Sequence, residues 1–173
     1  MKIIDAHWDN ENLGYKTYEF ILDSDDKLED FRKKEGQLIS SSENMYLVVK
    51  VPTNNPMYLQ ELPKMNYQFV EASFKLTLKK RDYNCPSYIA RFDKDCTLKV
   101  LKEETEFQRV YDEILKGIFK TDRIAIDQDF SEEVANKRYV NWIKALVAQG
   151  EKIYEVNVKN EPIGFFVLKH LDD

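Results

Sequence analysis

The chain has 173 residues, a hydrophobic fraction of 43% and a formal net charge of −5. This length suffices for one ordinary domain or for two small half-domains, and the apolar content excludes disorder of the whole chain. The acidic balance disfavours a nucleic-acid partner, because binding to phosphate backbones depends on clustered Lys and Arg.

No apolar run approaches the roughly 18 residues that span a bilayer, and the N-terminal sequence lacks the apolar core of a signal peptide. We therefore expect a cytoplasmic protein with no membrane partner. Cys85 and Cys96 are the only cysteines and are expected to be reduced thiols. Together with only two histidines they form no metal-ligand spacing, so no metal is expected.

The first half alternates strand and helix patterns. Residues 15–22 are rich in aromatic and β-branched side chains and predict a strand. Residues 28–39 have apolar side chains at helical spacing, after N-cap candidates at Asp23, Ser24, Asp25 and Asp26. Residues 45–51 form a nearly continuous apolar run, which is typical of a strand buried on both faces.

A short helix and a long strand are predicted next. Asn54 or Asn55 can cap the helix, Pro56 suits its first turn and Pro63 limits its length. Residues 70–79 then alternate strictly between apolar and polar side chains, which predicts the clearest strand of the chain.

The segment 82–87 reads DYNCPS and predicts a linker between an N-terminal half, 1–81, and a C-terminal half, 88–173. Strands are predicted near 88–92 and 97–101, followed by a helix with an apolar stripe over 107–118.

A second helix is expected to start after Asp129 or Ser131 and to end at Gln149-Gly150. Strands at 152–158 and 163–168 complete a hairpin through the residues between them. The predicted buried face of the second helix consists of Ala135, Tyr139, Trp142, Ile143, Leu146 and Val147.

The second half resembles the opening half of a GNAT (GCN5-related N-acetyltransferase) domain, and within that superfamily it is similar to the dTDP-fucosamine acetyltransferase group. The order of helix, helix, strand, turn and strand agrees with that family, as do the stretches FKTDRIAID, ANKRYVNWI and KIYEVNVKNEPIGFFVLK. The residues that carry the resemblance are Phe119, Arg123, Asp127, Tyr139, Trp142 and Gly164.

The first half resembles the closing half of the same domain. HWDNENLGYKTYEFIL occupies the place of a characteristic Trp-Asp, turn and glycine opening, and VVKVPTNNPMYLQELPKMNYQFVEASFKLTLK is similar to the family's strand, Asn-led helix, turn and long strand. The resemblance implies an α+β (α/β) fold with a GNAT-like mixed central sheet flanked by helices. The two halves, in inverted order, would be half-domains that could complete one sheet.

Alignment with the family on Asn55 places Leu62 where a tyrosine protonates the departing CoA thiolate, so the catalytic residue is unknown. Asn66 falls at a family glycine, a tolerable change because asparagine adopts the left-handed conformation readily. The Gly-rich loop that holds the CoA pyrophosphate has no counterpart, and the three aspartates within 23–27 would repel phosphate. Asn55 remains the candidate for cofactor binding.

The resemblance implies substrate-binding candidates in the second half, each with a structural alternative. Arg123 would hold a sugar phosphate or form a structural salt bridge, and Glu155 would line an acceptor cleft or remain a solvated strand carboxylate. Tyr139 and Trp142 would contact substrate or serve as core aromatics.

Two hypotheses of function follow. In the first, the chain is a GNAT-type N-acetyltransferase relative that uses acetyl-CoA as cosubstrate and an amine or nucleotide-linked amino sugar as acceptor. It is then incomplete or degenerate as given, and whether this chain alone is an enzyme is uncertain. In the second, it is a non-catalytic binding or assembly module whose last strand pairs with a protein partner or a second copy. An unrelated α+β domain with a similar pattern is a third interpretation.

Overall fold

The computed structural model describes residues 1–41, 44–79, 83–90 and 94–169. Contacts divide the chain into two compact units. Unit 1 comprises Met1–Val70 with Ile126–Phe130, and unit 2 comprises Glu71–Ala125 with Ser131–Asp173. The division therefore falls between Val70 and Glu71, and the described part of the predicted 82–87 linker belongs to unit 2.

Unit 1 is a small mixed sheet with helices between and after its strands. Its elements are β1 (Lys2–Asp5), α1 (His7–Leu13), β2 (Lys16–Ile21), α2 (Leu28–Ile39), β3 (Met45–Lys50), α3 (Pro56–Glu61) and a 3-10 turn (Pro63–Met65). The strand order is β1-β2-β3, with β1 antiparallel and β3 parallel to β2. The parallel pair is connected through α2, as a parallel pair requires a crossover.

The predictions for β2, α2, α3 and the end of α3 are confirmed. Asn55 caps α3 by accepting a hydrogen bond from the Met57 amide at 3.1 Å, with Pro56 in the first turn. Asn66 ends the 3-10 turn with φ of 65°, in the left-handed conformation expected of it.

Two details of unit 1 differ from the sequence predictions. The residue that precedes α2 is Lys27, which makes no side-chain cap. The predicted N-cap candidate Asp26 instead accepts a hydrogen bond from the Asp23 amide in the preceding turn. The strand at β3 is half-buried rather than buried on both faces, because it lies at the edge of its sheet.

An aromatic core holds the helical side of unit 1 together. Phe20 on β2 and Phe31 on α2 are fully buried and meet edge to face, with ring centroids 5.1 Å apart. Tyr58 and Leu62 complete this core from α3 and the turn that follows it. The hydroxyl of Tyr58 donates to the carbonyl of Asp26 at 2.5 Å, so its one polar group is satisfied.

Unit 2 packs two helices on an antiparallel sheet. The elements of this second part of the chain are α4 (Ser87–Ala90), β4 (Cys96–Val100), α5 (Glu104–Leu115), α6 (Arg123–Ile126, whose last residue belongs to unit 1), α7 (Glu132–Ala148), β5 (Lys152–Val158) and β6 (Glu161–Leu168). The strand order is β4-β5-β6 with both pairs antiparallel, so β6 is an edge strand.

The core of unit 2 lies between α5, α7 and the inner face of the sheet. Its buried members are Leu101, Val110, Tyr111, Ile114, Val140, Ile143 and Ile153. Ser131 caps α7 by accepting from the Val134 amide at 3.3 Å, and Gly150 follows the helix with φ of 90°. Lys159 and Asn160, both at positive φ, form a tight two-residue turn between β5 and β6.

The sequence predictions for α5, α7, β4 and the β5–β6 hairpin are confirmed. The predicted buried face of α7 is confirmed for Ala135, Ile143 and Leu146, but it is wrong for Trp142, whose side chain is largely exposed. Val140 and Asn136 are buried as well, so the inward face of α7 is rotated relative to the predicted one.

Two predicted strands are wrong. Residues 71–79 have no regular secondary structure, because alternation shows only that a segment can bury one side, and no described strand pairs with it. In place of the strand near 88–92, Ser87–Ala90 forms one helical turn in which the Ile89 and Ala90 amides donate to the Pro86 carbonyl; residues 91 and 92 lie outside the described ranges.

The α+β fold class is confirmed by this combination of helices and small sheets. The six described strands form two three-stranded sheets, one in each unit, rather than a single shared sheet.

Candidate functional site

The two candidates in unit 1 have structural roles. The Asn55 side chain is committed to the cap of α3, where it satisfies the Met57 amide. Leu62 is buried against Tyr58 in the aromatic core, and an alkyl side chain there has no proton to donate. Leu62, which the resemblance aligns with a catalytic tyrosine, therefore stabilises the fold of unit 1.

The loop before α2 is closed by its own hydrogen bonds. The Asp26 carboxylate accepts from the Asp23 amide at 2.7 Å and from the ammonium of Met1 at 2.6 Å. The Asp23 amide first, and then this ammonium, lower the pKa of Asp26, so the carboxylate is ionised at neutral pH. A loop with this charge repels a pyrophosphate group.

Three aromatic side chains form a cluster at the surface of unit 2. Tyr139 on α7 stacks on Phe119 with ring centroids 4.2 Å apart, and Trp142 meets Tyr139 edge to face at 6.3 Å. Phe165 on β6 contacts Phe119 from the sheet side at 6.5 Å. Trp142 is 57% exposed, so the cluster presents an indole ring to solvent. We call Phe119, Tyr139 and Trp142 the aromatic cluster.

A carboxylate and a guanidinium lie next to the aromatic cluster. Asp122 Oδ1 accepts from the Ala125 amide at 2.7 Å, and Asp122 Oδ2 lies 3.6 Å from Nη1 of Arg138. Burial, followed by the Asp122 carboxylate, raises the pKa of Tyr139, which therefore stays protonated at neutral pH. The guanidinium of Arg138 also lies 6.0 Å from the Tyr139 ring. The site thus combines apolar rings with one negative and one positive group.

Arg123 follows Asp122 directly but is largely buried. Its backbone amide donates to Oε2 of Glu71 at 3.2 Å, and the residue is only 8% exposed. The structure therefore brings Arg123, Tyr139 and Trp142 into one region, with Arg123 beneath the surface rather than on it.

The environment of Glu155 differs from both roles that the sequence analysis offered for it. It lies on β5 with a side chain only 7% exposed, and it forms an ion pair with Arg109 on α5. The expectation of a solvated strand carboxylate is therefore wrong. Sequence reasoning did not single out Arg109; the available signal was its position beside the apolar stripe of α5, next to Val110.

The ion pair is part of a larger charge quartet. Lys99 on β4 is the cross-strand partner of Glu155, and its ammonium lies 2.5 Å from a carboxylate oxygen of Glu106. Glu106 and Arg109 are three residues apart on α5 and so share one face of the helix. The Lys99–Glu106 and Arg109–Glu155 ion pairs therefore lie side by side, and together they attach α5 to the sheet. The Glu155 carboxylate therefore already has an ion-pair partner within the protein.

Comparisons with protein-family models, with curated proteins and with solved structures find no match to this chain. None of the helices in the described ranges has both the length and the apolar character that a bilayer crossing requires. Within the same ranges, no three His, Cys, Asp or Glu side chains gather as a potential metal site. The geometry of unit 2 is therefore the basis for a proposal of function.

Proposed function

We propose that the chain is a GNAT-type N-acetyltransferase relative that binds an amine-bearing small molecule, such as a nucleotide-linked amino sugar, at the aromatic cluster of unit 2. The observation that carries the proposal is the exposed Trp142 ring, which meets Tyr139 edge to face at the surface of unit 2. An exposed aromatic face packs against the apolar face of a sugar ring.

The order of elements in unit 2 supports the relationship. Two long helices, α5 and α7, with the four-residue α6 between them, separate β4 from the β5–β6 hairpin, and each adjacent pair of strands is antiparallel. This is the order that the resemblance to an opening half implies. Unit 1 supplies a strand, helix and strand crossover followed by an Asn-capped helix, in agreement with the resemblance to a closing half.

A non-catalytic binding or assembly module is the second candidate, and specific observations favour it. Leu62 is part of the unit 1 core, and the loop before α2 carries an ionised Asp26. Acetyl transfer needs a bound thioester and a proton donor for the departing CoA thiolate, and these two positions supply neither.

Calorimetry tests the assignment of the site. We expect an amino-sugar nucleotide to bind the wild-type chain, and Trp142→Ala to weaken that binding at least tenfold. Trp8→Ala is the matched control, because Trp8 is an exposed tryptophan of unit 1. Equal binding by the Trp142 and Trp8 variants would contradict the assignment of the site.

A titration with acetyl-CoA tests catalysis separately. Micromolar binding of acetyl-CoA together with acetylation of the amino sugar would establish an N-acetyltransferase. Amino-sugar binding without acetyl-CoA binding would favour the non-catalytic module. A folded sample that binds neither ligand would contradict the proposed function.

A further inference from the structure

Residues 70–79 carry a concentrated apolar surface in a segment without regular structure. Phe74, Leu76 and Leu78 alternate with polar residues and are 83%, 91% and 67% exposed. Apolar surface of this extent usually marks an interaction site, because leaving it in water is unfavourable. The three side chains are two residues apart, so they would all point to the same face if the segment formed a strand. Pairing of that strand with a sheet would bury them together.

Unit 1 has a groove that is lined mainly by apolar side chains, like the exposed side of residues 70–79. The groove is an open depression of about 320 Å³ along β3, lined by Glu35, Ile39, Met45, Leu47, Met65, Asn66 and Tyr67. Met45 and Leu47 are two residues apart on β3 and so point to the same face. In the described sheet, β3 pairs with β2 on one side only, so its other side is an open edge.

We propose that residues 70–79 of one copy of the chain add as a strand to the open edge of β3 in a second copy. Backbone hydrogen bonds along β3 would hold the added strand, and Phe74 and Leu76 would enter the groove. A single chain carries both the apolar segment and the groove, so two copies are mutually complementary, as a twofold dimer requires.

Charge on the other side of the segment favours the same pairing. Lys75 and Lys79 lie on the polar side, away from the groove. The opposite face of the unit 1 sheet holds the Asp127 carboxylate, which accepts from the hydroxyl of Tyr46 on β3 at 2.9 Å. The basic side of the added strand would therefore face an acidic neighbour at the edge.

The buried area is sufficient for association. Reciprocal exchange would remove two sets of these three large side chains from water, together with the groove side chains they cover. This amounts to on the order of 1,000 Å², near the lower bound for a stable interface.

The oligomeric state tests the proposal, measured by light scattering on the size-exclusion peak. We expect the wild-type chain to be a dimer and Leu76→Asp to be a monomer. Thr77→Asn is the control, because it changes the polar side of the segment without adding a negative charge near Asp127, and it should remain a dimer. Ile39→Asp changes the groove at a half-exposed residue and should also give a monomer. Far-UV circular dichroism checks that each variant is folded.

Hydrogen exchange identifies the strand itself. Amides of 70–79 should be protected in the wild-type dimer and exchange rapidly in Leu76→Asp. A monomeric wild-type chain at every concentration, or a dimer that Leu76→Asp leaves intact, would overturn the proposal. Protection of 70–79 in a monomer would also overturn it, because the segment would then pair within its own chain.

Discussion

Glu19 in unit 1 and Glu155 in unit 2 are two strand glutamates with the same low exposure but different neighbours. Each side chain is 7% exposed and forms an ion pair with a half-exposed cation. Lys50, which lies on the adjacent strand β3, pairs with Glu19 at 2.8 Å, whereas Arg109 reaches Glu155 from a helix. The unit 1 pair therefore acts within a sheet, and the unit 2 pair attaches a helix to a sheet.

The difference shows how one residue type can contribute differently to two folds. Lysine is a point charge on a flexible stem, and Lys50 needs no particular orientation to reach a neighbouring strand. Arginine presents a planar fork that fixes direction as well as charge, which suits a contact that sets the position of α5. Glu155 is also the partner of Lys99 across the β4–β5 pair, so its charge belongs to the quartet.

The largest expected effect is that of Arg109→Met. The substitution leaves the Glu155 carboxylate buried without its helix partner, which we expect to cost about 2 to 3 kcal/mol, between the values for surface and fully buried pairs. Urea unfolding followed by circular dichroism measures the cost. Adding Glu155→Gln should recover much of it, because the buried charge is then gone. A loss that the second substitution does not reduce would contradict this account.

Lys50→Met is the matched change in unit 1 and should cost less, about 1 kcal/mol. The cost is smaller because Lys50 pairs with Glu19 from the adjacent strand of the same sheet, so its loss releases no helix from the sheet. The same unfolding measurement applies. A cost equal to or above that of Arg109→Met would show that the two glutamates depend on their cations alike, and would remove the distinction between the units.

The smallest expected effect appears only at low pH and concerns Glu106 of the quartet. The Lys102 amide, the Lys99 ammonium and the Glu103 amide, in that order, lower the pKa of Glu106 from 4.5 to about 2. Because the folded-state pKa is depressed, its stabilisation is complete above pH 4.5 and is lost as pH falls toward about 2.

Urea unfolding at several pH values across this window measures the effect. The free energy of unfolding should fall less steeply with decreasing pH in Glu106→Gln than in the wild type. Glu61→Gln is the matched unit 1 variant, since Lys64 and then Arg32 lower the pKa of Glu61 without backbone donors. We expect its pH dependence to stay closer to that of the wild type. Identical profiles for wild type and Glu106→Gln would contradict the prediction.

Most helices and strands were predictable because their patterns are local. The apolar spacing of α2, α5 and α7 and the paired runs of β5 and β6 each follow from a short window of sequence. The strand expected at 70–79 was wrong because alternation specifies a face and not a partner. Pairing depends on a neighbour that is distant in sequence, or in another molecule.

The candidate site was less predictable for a related reason. Tyr139 and Trp142 became candidates through the resemblance, and their spacing predicted a buried face, but the exposure of Trp142 follows from how α7 rotates on the sheet. Asp122 and Arg109 gain their roles from residues 16 and 46 positions further along the chain, Arg138 and Glu155. Such contacts leave no periodic signal.

The two-residue turn at Lys159-Asn160 sets an order in time for the folding of unit 2. Its positive φ angles bring β5 and β6 together without a long loop to close, and hairpins of this kind form within roughly 1 to 10 μs. The β4–β5 pair joins Val100 to Tyr154 across α5, α6 and α7, so its closure carries a larger entropic penalty. The hairpin is therefore expected to serve as the template on which β4 later docks.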